Sequence, residues 1–392
     1  MIAAAHLDTL RGRLTESLAE AGHFREEWLR LAFGRIPREK FAPETVWRWS
    51  EGGWRALNRR EDPGGWAELV YHPTGALVTQ IDDGSPAADG AGIGATSSMS
   101  SAEVVLSMLS VLDLRPGHSV LEIGSGTGYN AALLCERLGA ERVVTVEIDP
   151  LLAELATQRL ASAGHRPLVV CGDGEAGYPD RAPYDRLIAT ASVRRVPPAW
   201  LRQVRPGGVM VIPWYPNPAG FGLIRLRMSE DGTARGRFQG RASFMPVRGQ
   251  RTVNPRVTAL WDATWDEADR IDGDAGLLEL GRADARFALG VRLPGFSAQV
   301  RGDGLLLLSD DDESWLWIKR DATYRHGPHD LVAEAGRFLA WWREQGSPGT
   351  EEFGITVTGE EQLVWLRDEQ RVLQRIPPGG DVHIRPSTGQ RA

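Results

Sequence analysis

Apolar positions recur at helical spacing over 3–21, where Leu7, Leu10, Leu14 and Leu18 are separated by charges and Gly22 closes the run. A second helix is expected over 24–33, with Trp28 and Leu31 turned inward. Residues 36–44 hold two prolines, Pro37 and Pro43, which predict an extended connector. Trp47, Trp49, Trp54 and Trp66 follow and are read as packing rather than as a ligand cage. A strand is expected at 76–81. Residues 82–95, rich in glycine and alanine, predict a mobile flap. The flap runs into Thr96-Ser97-Ser98-Met99-Ser100-Ser101, ahead of a helix over 102–112 with Val105, Met108, Leu109 and Leu112 on one side. Ser100 or Ser101 suits its N-cap, and five hydroxyls in these six residues exceed what a cap requires.

From 118 the pattern changes to short, continuously apolar strands alternating with helices. Strands are expected at 120–123, 142–147, 168–171, 184–192 and 209–213, with a helix over 129–138 and another closing at 201–204. A hairpin, 222–228 with 236–244, turns on Glu230-Asp231-Gly232. The fold class is therefore α/β, a doubly wound parallel sheet with an antiparallel edge. Beyond 252, strand-like stretches at 284–293, 296–302, 304–310 and 314–320 precede a helix over 331–342. That helix carries Ala335, Phe338, Leu339 and Trp342 inward, and 355–358 with 363–366 form a last hairpin. The expected organisation is an N-terminal helical segment with flap (1–95), an α/β core (96–251), an additional C-terminal α+β domain (252–376) and a flexible tail (377–392).

Composition narrows the function classes. A net charge of −7 argues against a general nucleic-acid or anionic-membrane surface. No apolar run reaches membrane-spanning length, and no secretory signal is evident. The two cysteines, Cys135 on the first core helix and Cys171 on the third core strand, are both expected to be buried and reduced. A cytoplasmic protein is the expectation. The eight histidines show no metal-ligand spacing, so no metal is assigned.

The candidate chemistry lies at three successive strand ends. The first strand breaks at Gly124, and Gly126 and Gly128 follow before the helix, so a ligand can lie against bare backbone near helix N–H groups. Glu147 ends the second strand, where an acidic side chain can accept both hydroxyls of a ribose. Gly172-Asp173-Gly174 ends the third, offering a carboxylate to an adenine amino group. The dinucleotide fingerprint needs a small residue where Tyr129 stands, which argues against a packed pyrophosphate. S-adenosylmethionine has adenine and ribose without phosphate and fits the pattern better.

These residues resemble the protein-L-isoaspartate O-methyltransferase family. Ile36-Pro37-Arg38-Glu39-Lys40-Phe41-Ala42-Pro43-Glu44 looks like its leader, and Ala95-Thr96-Ser97-Ser98 falls at its Thr-Ile-Ser segment. Residues 120–129, Glu147, Gly172-Asp173-Gly174, Pro206-Gly207-Gly208 and Phe244-Met245-Pro246-Val247 follow its later blocks in order. The resemblance covers about 5–250 and implies a Rossmann-like class I methyltransferase sheet. It also implies cofactor contacts at Thr96, Ser97, Glu122, Gly124, Ser125, Gly126, Gly128, Glu147, Ile148, Asp173 and Gly174. S-adenosylhomocysteine would be the product, and Ser98 would orient the substrate carboxylate.

Two departures point to a branch of the family. Repair enzymes follow the serine with a spacer and a proline, where this chain has Ser98-Met99-Ser100, and they end near the hairpin, where this chain continues to residue 392. Both features resemble the branch paired with ATP-grasp ligases in graspetide maturation. The expected reaction is then esterification of an aspartate in a cross-linked acidic precursor peptide, leading to aspartimide. Ser98, Met99, Arg194, Arg195, Arg248 and Arg251 would meet that substrate, and the C-terminal domain would recognise it. Isoaspartyl repair, a peptide-holding chaperone with a vestigial cofactor fold and a nicotinamide dehydrogenase are the alternatives.

Overall fold

The computed structural model describes residues 4–50, 52–86, 91–92, 94–217, 220–251, 260–261, 263–272, 275–309 and 313–377. The expected tail, 378–392, lies outside them, as do 87–90 and 93 of the flap. The chain gathers into two compact units: 1–191, 199–212 and 244–248 form the first, and 192–198, 213–243 and 249–392 the second. The first unit runs across the boundary expected at 95/96, and its last segment ends at Arg248, close to the boundary expected at 251/252. The hairpin joins the C-terminal part because its second strand pairs with 353–357.

In the first unit, helices α1 (Ala4–Glu20) and α2 (Glu27–Arg35) precede an antiparallel sheet. Helix α2 buries Leu29, Ala32 and Phe33, whereas Leu31, expected inward, is 48% exposed. The tryptophan-rich stretch forms β1 (Thr45–Ser50), β2 (Gly53–Asn58) and helix α3 (Pro63–Val70), with Trp66 in the core and Trp49 exposed. β3 (Leu77–Ile81), β4 (Ala91–Gly92) and β5 (Ala95–Met99) complete a sheet ordered β4-β2-β1-β3-β5. The segment expected to be a free flap thus contributes a strand, because Gly92 and Ala91 pair with Trp54 and Arg55.

After α4 (Ala102–Leu112) come β6 (Val120–Ile123), α5 (Tyr129–Leu138), β7 (Val143–Glu147), α6 (Pro150–Ser162), β8 (Leu168–Cys171), β9 (Tyr184–Ala189), α7 (Pro198–Gln203) and β10 (Val204–Asn217). β6 and β7 are buried at every position, as expected of central parallel strands covered on both faces. The sheet order is β8-β7-β6-β9-β10, the last through residues up to 212, with all pairings parallel. Order therefore reverses between β6 and β9, and in open α/β sheets ligands bind in the crevice at the carboxyl ends there. β8 is the edge strand of this sheet, so Cys171 is exposed, contrary to expectation, while Cys135 is buried.

The second unit contains β11 (Gly220–Met228), β12 (Ala234–Phe238), β18 (Phe353–Val357), β19 (Gln362–Leu366) and β20 (Val372–Ile376), paired in that order. The hairpin's second strand stops at Phe238, short of the expected 244. A further sheet runs β13 (Asp269–Ile271), β17 (Thr323–His326), β16 (Trp315–Ile318), β15 (Gly304–Ser309), β14 (Phe296–Arg301). Of residues 284–293, expected as a strand, 284–292 belong to helix α8 (Ala283–Arg292). Ala285 and Phe287 through Val291 are all buried, so this helix is apolar nearly all round and shows no single helical stripe. Helix α9 (Leu331–Glu344) buries the four residues expected of it. Among the described residues no helix is long and apolar enough to cross a membrane.

Candidate active site

Gly124, Gly126 and Gly128 all have positive φ (94°, 52° and 87°), so the turn from β6 to α5 uses conformations that side chains rarely adopt. Gly124 N–H donates to the Val146 carbonyl at 2.8 Å, and Gly128 N–H to the Ser125 carbonyl at 2.8 Å. Ser125 Oγ meets Thr145 Oγ1 at 2.6 Å, so this hydroxyl is used to hold the turn on β7. A Cβ at Gly126 would lie 3.7 Å from both Ser97 Oγ and the Ser98 carbonyl oxygen. The serine strand therefore runs close beside the glycine turn.

Glu147 closes the same corner. Its carboxylate accepts from Gly126 N–H at 2.8 Å and from Asp149 N–H at 3.1 Å. Burial raises its pKa against the opposing effect of these backbone bonds. A carboxylate has about four lone-pair sites, so these bonds leave acceptor capacity for ribose hydroxyls. Asp173 is exposed and accepts from Glu175 N–H at 2.9 Å, capping the turn that begins at Gly174. Gly174 packs so tightly that a Cβ there would lie 2.6 Å from Ile123, and its carbonyl accepts from the Trp200 indole at 2.8 Å. Ile148 is half-buried beside Glu147.

Glu122 lies beneath the turn, fully buried, accepting from Asn130 Nδ2 at 2.6 Å while Oε2 has no hydrogen-bond partner. Desolvation drives its pKa up to about 7 from an ordinary 4.5; bonds from Thr145 and Asn130 oppose this, and the Glu147 charge adds to it. The folded state therefore holds the Glu122 proton more tightly than the unfolded chain. The stability this contributes is whole below about pH 4.5 and is lost as pH rises through 7. The neutral Glu122→Gln variant should remove that slope, gaining about 2–3 kcal/mol over wild type at pH 8 and little at pH 4.5. Urea melts at the two pH values check this, and an equal difference at both would refute it.

The serine strand divides its side chains by the alternation of a β-strand. Ser97 and Met99 are buried (7% and 2% exposed), and Met99 is opposite Leu77. Met99, expected to meet substrate, is a core residue. Ser98 is half-buried, and among the described residues its hydroxyl has no hydrogen-bond partner. Ser97 Oγ accepts from Thr79 at 3.3 Å. Thr96 Oγ1 donates to Gln80 Oε1 at 2.9 Å and accepts from Asp83 N–H at 3.1 Å. Ser101 occupies the N-cap of α4 without a side-chain cap bond, so the expected cap is supplied by neither hydroxyl.

Sequence reading missed a polar chain that ties the flap to the loop after β7. Gln80 Nε2 donates to Asp149 at 3.0 Å, and Arg248 Nη2 lies 3.0 Å from Asp83 and 3.8 Å from Asp149. Burial alone would raise the Asp149 pKa, but bonds from Gln80, Leu152 and Leu151 and the Arg248 charge together hold it below the ordinary value. Asp149-Pro150 was readable as an N-cap followed by an N1 proline. No local signal announces Gln80. Arg248, expected as a substrate clamp, is thus engaged by two carboxylates of its own chain. Arg194, Arg195 and Arg251 belong to the second unit. There the Gln250 side chain accepts from the backbone N–H groups of Arg194 and Arg195 at 2.8 and 3.0 Å.

Arg38, from the proline connector, is 1% exposed. Its Nε donates to the Val70 carbonyl and its Nη2 to the Ser100 carbonyl, both at 3.0 Å. Its guanidinium lies 5.0 Å from the centre of the Tyr129 ring, which also meets Phe41 edge-on. The residue that breaks the dinucleotide fingerprint is therefore packed on the connector.

A family model for protein-L-isoaspartate(D-aspartate) O-methyltransferase matches residues 83–252. The chain is 34% identical over 243 residues to the protein-L-isoaspartate O-methyltransferase of Methanopyrus kandleri, covering 61% of this chain and 92% of that one. It is 35% identical over 240 residues to that of Methylorubrum populi, covering 61% and 95%. A solved structure described as a protein-L-isoaspartate O-methyltransferase shares the fold at 20% identity and a TM-score of 0.52, over 91% of this chain and all of that one.

Proposed function

The chain belongs to the protein-L-isoaspartate O-methyltransferase family, and from this premise we propose that it methylates the free carboxylate of L-isoaspartyl residues in polypeptides. It is an S-adenosylmethionine-dependent carboxyl O-methyltransferase. The observation that carries the reading is the serine strand lying beside the glycine turn, with the buried Glu147 carboxylate bonded to Gly126.

Gly124, Gly126, Glu147 and Asp173 would hold the cofactor's adenosine, and Thr96 and Ser97 would line its approach. When bound, that cofactor supplies an electrophilic methyl group on a sulfonium. An ionised carboxylate is itself a nucleophile, so no side chain need remove a proton. The chain's part is alignment of the carboxylate and exclusion of water. Ser98, whose hydroxyl is uncommitted, orients the substrate carboxylate by donating to it.

A hydrogen bond to a charged group contributes about 1.5–3 kcal/mol. Ser98→Ala should therefore lower kcat by about 10- to 100-fold, with S-adenosylhomocysteine affinity unchanged. Initial rates on an isoaspartyl hexapeptide and on its aspartyl counterpart test both the residue and the substrate. The isoaspartyl peptide should be favoured by at least about a hundredfold in kcat/KM, because the site rewards one carboxylate position. A preference for the aspartyl form, or full activity in Ser98→Ala, would overturn the reading.

A second reading rests on Ser98-Met99-Ser100, which departs from the spacer and proline of repair enzymes. It assigns esterification of an unmodified aspartate in an acidic peptide cross-linked by an ATP-grasp ligase. The same assay on such a peptide separates the two, since each demands discrimination against the other's substrate.

A further inference from the structure

The sheet β13-β17-β16-β15-β14 of the second unit is apolar on both faces. Leu305 and Leu307 stand opposite Ile318 and Leu316 on one face; Leu306 and Leu308 stand opposite Trp317 and Trp315 on the other. On this second face Trp317 also pairs with Tyr324. Leu260, Trp261 and Ala268 pack against it. Trp261 lies 5.4 Å from Trp317, and Trp265 lies 5.0 Å from Tyr324, ring centre to ring centre. A cavity of about 490 Å³ is lined by Trp261, Trp265, Trp317, Lys319 and Tyr324. Drug-sized ligand sites span ~300–1,000 Å³, so the volume admits one large side chain with its neighbours.

Three observations define what would fit. The walls are aromatic, and Trp265 is 38% exposed, which favours a flat apolar body. The Trp261 indole N–H is buried without an acceptor among the described residues, an orphan donor. Lys319 follows Trp315 and Trp317 at alternate positions, and its ammonium is 3.3 Å from Asp303, whose side chain is 74% exposed. An exposed pair of that kind holds an ammonium only weakly, and two of its three N–H donors remain. A cation is disfavoured by Lys319 and by the Arg301 guanidinium, 5.2 Å from the centre of the Trp261 ring. A sugar would call for side-chain carboxylates or amides in the lining, and these five residues supply none.

We propose that this pocket binds an aromatic side chain of the polypeptide substrate, with an adjacent carboxylate held by Lys319 and the Trp261 indole. The inference rests on the reading that the substrate is a polypeptide, and it assigns the C-terminal module a second point of attachment. The probe is a blocked tripeptide, Asp-(4-fluorophenylalanine)-Asp, titrated with the full chain and followed by fluorine NMR.

Saturable broadening is expected, with the Asn-(4-fluorophenylalanine)-Asn analogue bound at least about tenfold more weakly. Trp265→Ala and Lys319→Glu alter partly exposed side chains and should each weaken binding by about tenfold or more. Unchanged S-adenosylhomocysteine affinity in the same samples certifies the fold. Equal binding of the two peptides, binding indifferent to both substitutions, or displacement by adenosine monophosphate at lower concentration would overturn the proposal. Methylation of an isoaspartyl peptide without aromatic residues, measured on the wild-type chain, reports separately on the reaction.

Discussion

Replacing Glu147 by alanine is expected to weaken S-adenosylhomocysteine binding by about two to three orders of magnitude. Two ribose hydroxyls donating to one ionised carboxylate amount to about 3–4 kcal/mol, at about 1.5–3 kcal/mol for each bond to a charged group before losses of alignment. The fold should tolerate the change. Burial already raises the Glu147 pKa, so removing the carboxylate relieves desolvation while giving up its bonds to Gly126 and Asp149. Calorimetric titration of the variant provides the measurement, with Glu147→Gln as the isosteric control. Glutamine retains one carbonyl acceptor and should fall between the two. Affinity within threefold of wild type would mean that the β7 end does not hold the ribose.

The second large effect is on stability. Arg38→Ala strips donors from the Val70 and Ser100 carbonyls and empties the space over Tyr129. Two hydrogen bonds from a charged donor, together with the cavity, amount to about 3–5 kcal/mol. For a unit of this size that corresponds to a fall in Tm of about 6–20 °C. Arg38→Lys should recover only part of it, since an ammonium cannot reproduce the planar fork. Thermal melts by circular dichroism decide the matter, and a change under 2 °C would show that the contacts are dispensable. Because Ser100 directly follows β5, loss of Arg38 should also loosen the serine strand.

The sequence made the parallel core legible for a physical reason. Central parallel strands are apolar at consecutive positions, and the glycine turn between β6 and α5 leaves few alternatives, so helix α5 begins and ends where the pattern placed it. The acidic strand end at Glu147 and the serine segment were equally visible, and the structure brings both to the glycine turn. What stayed hidden was set by distant partners. β1 and β2 carry polar and aromatic side chains without clean alternation, and β13 has only three residues. Helix α8 looked like a strand because it is buried nearly all round. The inward turn of Met99, the engagement of Arg248 with Asp83 and Asp149, and the burial of Arg38 depend on residues far away in the chain.

The edge position of β8 has a practical consequence. Cys135 is buried and Cys171 is open to solvent, so among the two thiols of this chain a maleimide dye would react at one. Cys171 stands directly across the strand pair from Glu147. A fluorophore attached there would sit one rung from the carboxylate assigned to the ribose, turning the native chain into a reporter of nucleoside occupancy with no engineered label site.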